Sequence, residues 1–211
     1  MLVTGNTAVM VRVIVTAVPG SGKTTILRMI RERAPDVVVT NLGDVMFEIA
    51  RTKYDLRSRD EMRRAIPVEE YRSVQHEAAR RIGAMNGKVV VDTHALIKSP
   101  YGYYPGLPPD LLDAIKPHAV VFLDFRPEDI LERRSRDEDV SRKRGLESVE
   151  QIEEHQRLSE MAAIAAAAHA KCYYVKFSCR YQQSYPFQHA QELSLKLIEY
   201  LNSLESSLKV T

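Results

Sequence analysis

Short, strongly apolar runs alternate along the chain with longer segments in which apolar residues recur every three or four positions. The apolar runs are rich in Val and Ile and end at turn-forming residues, which is typical of strands. They predict five strands, over residues 9–16, 37–40, 88–92, 119–124 and 172–177. The amphipathic segments predict helices over 24–33, 44–52, 67–85, 127–136, 149–170 and 186–204.

The order of these elements predicts the fold class. Strands without polar alternation are covered on both faces, and helices between them supply the crossovers that parallel neighbours need. We therefore expect a single α/β domain with a five-stranded, mostly parallel, doubly wound sheet. The alanine-rich stretch 162–170 is expected to be a closely packed helix, either on the sheet or against another subunit, because alanine favours helices.

One segment interrupts this alternation. Residues 93–109 include six prolines and glycines: Pro100, Gly102, Pro105, Gly106, Pro108 and Pro109. This density of turn-forming residues predicts a long, shaped loop, and loops of this length usually carry function.

Composition limits the location and the partners. The 211 residues are 45% apolar, which is ample for one core, and 30 basic against 28 acidic residues leave a net charge of +2. That balance argues against a dedicated nucleic-acid binder. No stretch approaches the length of an apolar membrane span, and the first residues lack a leader pattern, so we expect a cytoplasmic protein without a membrane span.

The two cysteines, Cys172 and Cys179, lie within and just beyond the last predicted strand. An extended chain would place their sulfur atoms about 20 Å apart, too far for an intramolecular disulfide. Neither belongs to a CxxC or Cys/His pair. Buried free thiols are therefore favoured, and a structural zinc is not expected.

The clearest chemical motif is AVPGSGKTT at residues 17–25, between the first predicted strand and the first helix. A glycine-rich turn and a helix N-terminus present N–H groups to phosphates, Lys23 can reach the β- and γ-phosphates, and the Thr24 hydroxyl suits Mg²⁺. Ala17 replaces the first glycine of the GxxxxGK[ST] pattern and is expected to close the turn at modest strain. A chance glycine-rich turn is the alternative, but this context favours a nucleotide-binding P-loop. The predicted ATP-binding residues are Ala17, Val18, Pro19, Gly20, Ser21, Gly22, Lys23, Thr24 and Thr25.

A P-loop alone does not distinguish kinases from GTPase switches and motor ATPases, so other residues must do so. The guanine-reading NKxD motif does not occur, and the chain is short for an oligomeric motor ATPase. Asp92 ends the apolar run VVVD, where a carboxylate at the carboxyl edge of the sheet suits magnesium. The alternative is an aspartate that caps the next turn. His94 either contacts the acceptor, or takes part in proton transfer, or is an ordinary loop histidine.

Basic residues concentrate in one later segment. Six of them fall within twelve positions, interrupted by Asp137, Glu138 and Asp139: Arg133, Arg134, Arg136, Arg142, Lys143 and Arg144. Guanidinium groups in a closing segment can neutralise the charge of a transferred phosphoryl group while excluding water. A solvated helix end is the alternative, but beside a P-loop a lid over about 134–147 is favoured, with the acidic residues as salt partners when it is open. The stretch contains no Cys or His to bind zinc.

With these motifs the chain resembles the archaeal type of adenylate kinase over nearly its whole length. The matching segments are VTAVPGSGKTT, NLGDVMFEIA, RDEMRR, VQHEAARRI and, most specifically, VVVDTHALIKSPYGYYPGLP. The resemblance implies the P-loop NTPase fold of nucleoside monophosphate kinases, with sheet order 2-3-1-4-5. It further implies ATP with Mg²⁺ as the phosphoryl donor, AMP as the acceptor, two ADP as products and a homo-oligomer, often a trimer.

Residue roles follow from the same resemblance. It implies an ATP loop over 18–25, monophosphate-binding helices over about 41–86 and lid arginines at Arg136 and Arg142. The predicted catalytic residues are Lys23, Arg136 and Arg142, the predicted substrate ligands are Arg59, Arg63, Asp92 and His94, and the predicted metal ligands are Thr24 and Asp92. Three tyrosines of the long loop, Tyr101, Tyr103 and Tyr104, either stack on the acceptor base or anchor the loop by packing.

Two alternatives of other classes stay open at this point. One is a P-loop kinase for another acceptor, such as CMP, UMP or a small hydroxy compound. The other is a non-enzymatic, nucleotide-dependent protein that touches RNA through the cations of the lid, although the near-neutral net charge argues against nucleic acid as a partner. For the kinase we expect in-line attack by a phosphate oxygen of AMP, which needs little general-base help because that phosphate is already ionised.

Overall fold

A computed structural model describes residues 9–137 and 147–209, apart from the side chains of residues 60, 63, 64 and 137. The elements in these residues are β1 (Val11–Thr16), α1 (Lys23–Arg33), β2 (Val37–Asn41), α2 (Leu42–Lys53), α3 (Met62–Ala65), α4 (Val68–Gly83), β3 (Lys88–Thr93), β4 (Leu96–Ser99), β5 (Gly102–Pro105), α5 (Pro109–Ile115), β6 (Ala119–Phe125), α6 (Pro127–Asp137), α7 (Val149–Ala170), β7 (Tyr173–Cys179) and α8 (Gln188–Leu208). A 3-10 turn, Arg59–Glu61, leads into α3.

Five strands form a parallel sheet in the order β2-β3-β1-β6-β7. Because β4 and β5 pair only with each other, as an antiparallel hairpin, this is the predicted order 2-3-1-4-5 counted over the main sheet. All residues of β1 are buried, since it pairs with β3 on one side and β6 on the other and helices cover both faces. The predicted fold class is confirmed.

The sheet separates two apolar cores. Val13 and Val15 of β1 belong to the core shared with α1 and α8. Ile14 belongs to the opposite core, together with residues of α2, α4, α5 and α7, because successive side chains of a strand point to opposite faces. With both faces filled by apolar side chains, polar chemistry is confined to the ends of the strands.

The alanine-rich stretch lies in α7, whose bounds agree with the prediction. Its start is stabilised by a capping box, in which the Ser148 hydroxyl accepts from the Gln151 N–H and the Gln151 side chain accepts from the Ser148 N–H. Ala163 and Ala167 are buried in the core beneath the sheet. The packed helix is confirmed, and a contact with another subunit stays a prediction.

The prediction of a long loop over 93–109 is wrong in part. Ser99 and Gly102 close the tight turn between β4 and β5, and the Gly106 N–H donates to the Ala95 carbonyl over 2.9 Å, which closes the base of the hairpin. The last proline of the segment, Pro109, begins α5, because proline fits the first turn of a helix, where its missing N–H costs nothing. Turn-forming residues thus mark the bends of the hairpin and the start of a short helix.

Smaller differences concern the ends of elements and the cysteines. β1 begins at Val11 instead of residue 9, and β7 extends to Cys179. Both cysteines are free, as predicted; Cys179 is buried, but Cys172 is only half-buried. In the described ranges, no helix combines the length and the apolar composition that crossing a membrane requires.

Candidate active site

Residues 17–25 connect β1 to α1 as a tight turn. Gly20 and Gly22 have φ angles of +82° and +87°, a left-handed conformation that favours glycine. Gly22 directly precedes α1, so the N–H groups of the first helical turn point into the space above the loop. Ala17 is buried and is not among the described residues with positive φ. The strain expected at Ala17 is therefore wrong, because the loop needs left-handed glycine only at its second half.

A cleft of about 980 Å³ opens beside this loop, a volume suited to a nucleotide-sized ligand. The P-loop forms one wall, and another is formed by Arg133 and Arg136 of α6 with Arg126 just before that helix. The segment 182–187, between β7 and α8, lines a further part. This segment is not among the predicted site residues, although its place after the last parallel strand is where ligands bind in open α/β sheets.

Lys23 and Asp92 form a buried ion pair at the carboxyl edge of the sheet. Asp92 lies opposite Val15 of β1 and Asn41 of β2, and the Asn41 Nδ2 donates to Asp92 Oδ2 over 2.7 Å. The Lys23 ammonium also donates to the carbonyl of Thr93. Burial works to raise the pKa of Asp92, but the charge and the hydrogen bond of Lys23 outweigh it, so the pKa lies below its usual range. The carboxylate is therefore ionised at neutral pH.

His94 lies against the P-loop. Its Nδ1 is 2.8 Å from the Ala17 carbonyl oxygen, and because a carbonyl can only accept, Nδ1 carries the proton. Burial, assisted by the charge of Lys23, lowers the pKa of His94 to about 3. A neutral imidazole that holds the start of the loop is thus the form present at neutral pH.

Two adjacent arginines of α6 bind the P-loop backbone. Arg133 Nη1 donates to the Ser21 carbonyl over 2.7 Å. Arg134 donates to the Pro19 carbonyl from Nε over 2.9 Å and from Nη2 over 2.6 Å. A Cβ atom on Gly20 would lie 2.6 Å from Arg134 Cγ, so the arginine can cross the loop only because residue 20 is glycine. Both arginines belong to the predicted basic cluster, but these contacts with the loop backbone were not predicted.

Arg133 also joins the loop to α8. Its guanidinium lies 5.3 Å from the centroid of the Phe125 ring, and its Nη2 is 3.4 Å from Nδ1 of His189. His189 Nε2 lies 2.9 Å from the Tyr181 carbonyl and so donates to it, which leaves Nδ1 to accept. These contacts hold the P-loop, α6 and the segment after β7 as one unit.

Arg136 lies in the last turn of α6, at the rim of the cleft. Its side chain is 74% exposed and forms an ion pair with Glu132, a partner that sequence analysis did not name and that helical spacing of four residues brings close. Arg142 and residues 138–146 of the predicted lid lie outside the described residues, and so does the Asp137 side chain.

Arg59 lies in the 3-10 turn that leads into α3. Its Nη1 is 2.8 Å from Asp44 Oδ1, and both side chains are exposed. Burial chiefly, and to a smaller degree the charge of Arg59, lower the pKa of Lys23, while Asp92 opposes them. Arg63 is in α3, but its side chain is outside the described part of the chain.

The other residues predicted to take part in the site are Thr24 and the three tyrosines of residues 101–104. Thr24 is an exposed residue of the cleft wall, in the first turn of α1. Tyr103 packs on His155, with ring centroids 5.0 Å apart, so it anchors the hairpin. Tyr101 and Tyr104 are exposed. No group of three or more His, Cys, Asp or Glu side chains that could hold a metal occurs among the described residues.

Known proteins resemble this chain in sequence. The family described as AAA domain matches residues 16–153, from the end of β1 into α7. A curated protein named adenylate kinase from Pyrobaculum aerophilum is 46% identical over 182 residues, which are 85% of this chain and 91% of that protein. Another of that name, from Pyrococcus horikoshii, is 41% identical over 75% of this chain and 81% of its own length.

Solved structures resemble it in fold. A shikimate kinase from Acinetobacter baumannii superimposes with a TM-score of 0.58 at 14% identity, covering 92% of this chain and 94% of that one. A shikimate kinase from Bacteroides thetaiotaomicron reaches a TM-score of 0.55 at 15% identity, over 92% and 99%. At such identities the likeness is one of fold.

Proposed function

We propose that this chain, which belongs to the adenylate kinase family, transfers the γ-phosphoryl group of MgATP to AMP by direct in-line displacement and so interconverts ATP plus AMP with two ADP. Family membership makes it a phosphotransferase of the adenylate kinase type; the roles of its residues are our proposal. One observation carries them: Lys23, which lines the cleft, forms a buried ion pair with Asp92 at the edge of the sheet.

ATP is proposed to bind in the cleft beside residues 17–25. Its phosphates would lie over the N–H groups of the turn and of the first turn of α1, where the helix dipole favours negative charge. Lys23 would exchange its contact with Asp92 for the β- and γ-phosphates. The nucleoside would extend toward Arg126 and the segment 182–187, which also line the cleft.

The residues at the sheet edge fit a magnesium ion. Asp92 is ionised, and its Oδ1 has no hydrogen-bond donor among the described residues other than its ion-pair partner Lys23. The Thr24 hydroxyl belongs to an exposed residue of the cleft wall. Mg²⁺ prefers oxygen ligands of this kind, and when bound with ATP it neutralises charge on the phosphates. Thr24 and Asp92 are accordingly proposed to hold it.

AMP is proposed to bind on the side of α2–α4, with Arg59 and Arg63 on its phosphate. The attacking oxygen is already ionised, so no side chain has to remove a proton. His94 is suited to orientation: its Nδ1–H is occupied by the Ala17 carbonyl, and its pKa of about 3 keeps it neutral. Catalysis then consists of positioning by these residues and of charge neutralisation by Lys23 and the arginines of the predicted lid, Arg136 and Arg142.

The proposal also includes assembly and location. We propose a homo-oligomer, in particular a trimer, in the cytoplasm, with no zinc in the lid and no nucleic acid as partner. Sedimentation equilibrium of the purified protein tests the oligomer, and a monomer at assay concentration would rule it out.

The decisive experiment is an acceptor panel. Purified protein is incubated with MgATP and each of AMP, GMP, CMP and UMP, and diphosphate formation is followed by ion-exchange chromatography. We expect AMP to be phosphorylated far faster than any other monophosphate, at a rate that Lys23→Ala lowers about 10³-fold or more. Faster phosphorylation of GMP, CMP or UMP would overturn the choice of AMP.

A further inference from the structure

A line of charged groups connects the β4–β5 hairpin with the P-loop. Lys98 of β4 forms an ion pair with Glu147, with Nζ and Oε1 2.6 Å apart. The other carboxylate oxygen of Glu147 pairs with Nη1 of Arg134. Arg134 in turn holds the Pro19 carbonyl. Three segments that are distant in sequence are thereby joined.

The middle of this line is shielded from solvent. Arg134 is 8% exposed, and the Glu147 side chain is 19% exposed. Burial works to raise the pKa of Glu147, but the hydrogen bond from Lys98 and the charge of Arg134 outweigh it, so the pKa lies below its usual range. The carboxylate is therefore charged at neutral pH and balances two cations where water cannot do so fully.

The guanidinium of Arg134 is held along two edges. Nε and Nη2 face the Pro19 carbonyl, and Nη1 faces Glu147. Its aliphatic part crosses the turn at Gly20, where a side chain would collide with it. Contacts on both edges hold a planar group in one orientation, and loss of one partner leaves it free to rotate about the other.

We infer that Glu147 is a positioning residue of the P-loop: held by Lys98 of the hairpin, it orients Arg134, which fixes the Pro19 carbonyl and thereby the phosphate-binding turn. The inference rests on the proposal that residues 17–25 bind ATP. It has a specific consequence, because a substitution in the hairpin should change the affinity for ATP and leave the affinity for AMP as it was.

The test compares the Glu147→Gln and Lys98→Met variants with a matched pair elsewhere. Glu160 of α7 and Lys176 of β7 form an ion pair over 2.9 Å with side-chain exposures of 25% and 37%, close to those of Glu147 and Lys98, and neither lines the cleft. Glu160→Gln and Lys176→Met therefore control for the loss of a half-buried pair. Circular dichroism and thermal melting establish that each variant is folded at the assay temperature.

Binding of ATP and of AMP is measured separately by isothermal titration calorimetry. We expect Glu147→Gln to weaken ATP binding about tenfold, as for loss of a charge-assisted hydrogen bond, and Lys98→Met to weaken it less. AMP binding should stay within about twofold for both, and the controls within about twofold for both ligands. If Glu147→Gln does not fold, Lys98→Met alone decides by the same criterion.

A double variant with exchanged charges distinguishes a positioning role of Glu147 from a role that only attaches the hairpin. In the K98E/E147K double variant the ion pair can re-form, but the new lysine faces Arg134. If the pair only fastens the hairpin, ATP affinity returns to that of the wild type and the inference is overturned; we expect it to stay weak. Unchanged ATP affinity in Glu147→Gln, or equal losses for ATP and AMP, would also overturn it. Failure of the wild type to bind ATP would instead contradict the proposed function.

Discussion

The ion pair of the P-loop lysine with Asp92 is buried, whereas that of Arg59 with Asp44, beside α2, lies in solvent. Lys23 and Asp92 have side-chain exposures of 7% and 15%. By contrast, Arg59 and Asp44 are 48% and 63% exposed. The helices behind Arg59 are themselves well packed, with Met46 of α2 and Ile82 of α4 in the core. The difference therefore concerns the charged side chains and not the backbone that carries them.

This difference indicates when each side acquires its working geometry. A buried charge must have its partner at the moment of folding, since leaving it unpaired is costly. An exposed pair contributes little and gives way easily to a phosphate. We therefore expect the P-loop side to be preorganised for the transferred group, and the side chains of the α2–α4 side to be arranged by the acceptor itself.

The largest effect is expected from Lys23, the only P-loop side chain that can bring a positive charge to the β- and γ-phosphates. Lys23→Ala should lower kcat by about 10³-fold or more, while the circular dichroism spectrum stays that of the wild type. Coupled assays of ADP formation measure this. Turnover near that of the wild type in a folded variant would contradict the proposal that Lys23 is catalytic.

The next effect is expected at the rim of the cleft. Arg136→Ala should lower kcat on the order of 10²-fold with a smaller change in ATP affinity, as for a group that stabilises charge only in the transition state. Glu132→Gln removes the partner of Arg136 but keeps the guanidinium, so its kcat should stay within about twofold. If Arg136→Ala and Arg142→Ala both keep the wild-type kcat, neither arginine stabilises the transferred phosphoryl group and the catalytic cations lie elsewhere.

A smaller effect, on one substrate only, is expected at Arg59. Arg59→Ala should raise KM for AMP about tenfold, as for loss of one charge-assisted phosphate contact, and leave KM for ATP unchanged. Asp44→Asn, which frees Arg59 from its exposed partner, should leave KM for AMP equal or slightly lower. Steady-state kinetics with each substrate varied in turn gives both values. An equal rise for ATP and AMP would show that Arg59 does not belong to one side.

The smallest effect is one of stability at low pH. The pKa of His94 falls from 6.5 to about 3 on folding, chiefly through burial. The unfolded chain thus binds more protons between these values, and the contribution of His94 is present above pH 6.5 and is lost as the pH falls toward 3. His94→Asn, which can still donate to Ala17, should lose less stability between about pH 6.5 and pH 4 in urea titrations.

His76→Gln serves as the control for the pH experiment, because it removes an exposed histidine from α4. Its stability should follow that of the wild type across the same pH range. Equal losses in His94→Asn and the wild type would show that His94 does not contribute to the acid sensitivity of the P-loop side.

Much of this molecule follows from local patterns in the sequence. The apolar runs predicted the five strands of the main sheet, and the bounds of α7 agree with the prediction because a capping box marks its start. Gly20 and Gly22 were recognisable as P-loop residues, since left-handed turns need glycine. In contrast, the seven residues of α5 are too few to show a helical period, and the hairpin β4–β5 was hidden by its prolines and glycines.

Contacts between residues distant in the sequence were decided only by the tertiary structure. The motif at residues 17–25 predicted a nucleotide site by itself, because its chemistry is local: a turn, a helix N-terminus and one lysine. The arginine that holds Pro19 is 115 residues away in the sequence, and Glu147 and Lys98 are 49 residues apart. The sequence marked Arg134 as one of six basic residues in a cluster, and folding decided which partner it binds, since that depends on how α6, the hairpin and the sheet edge pack together.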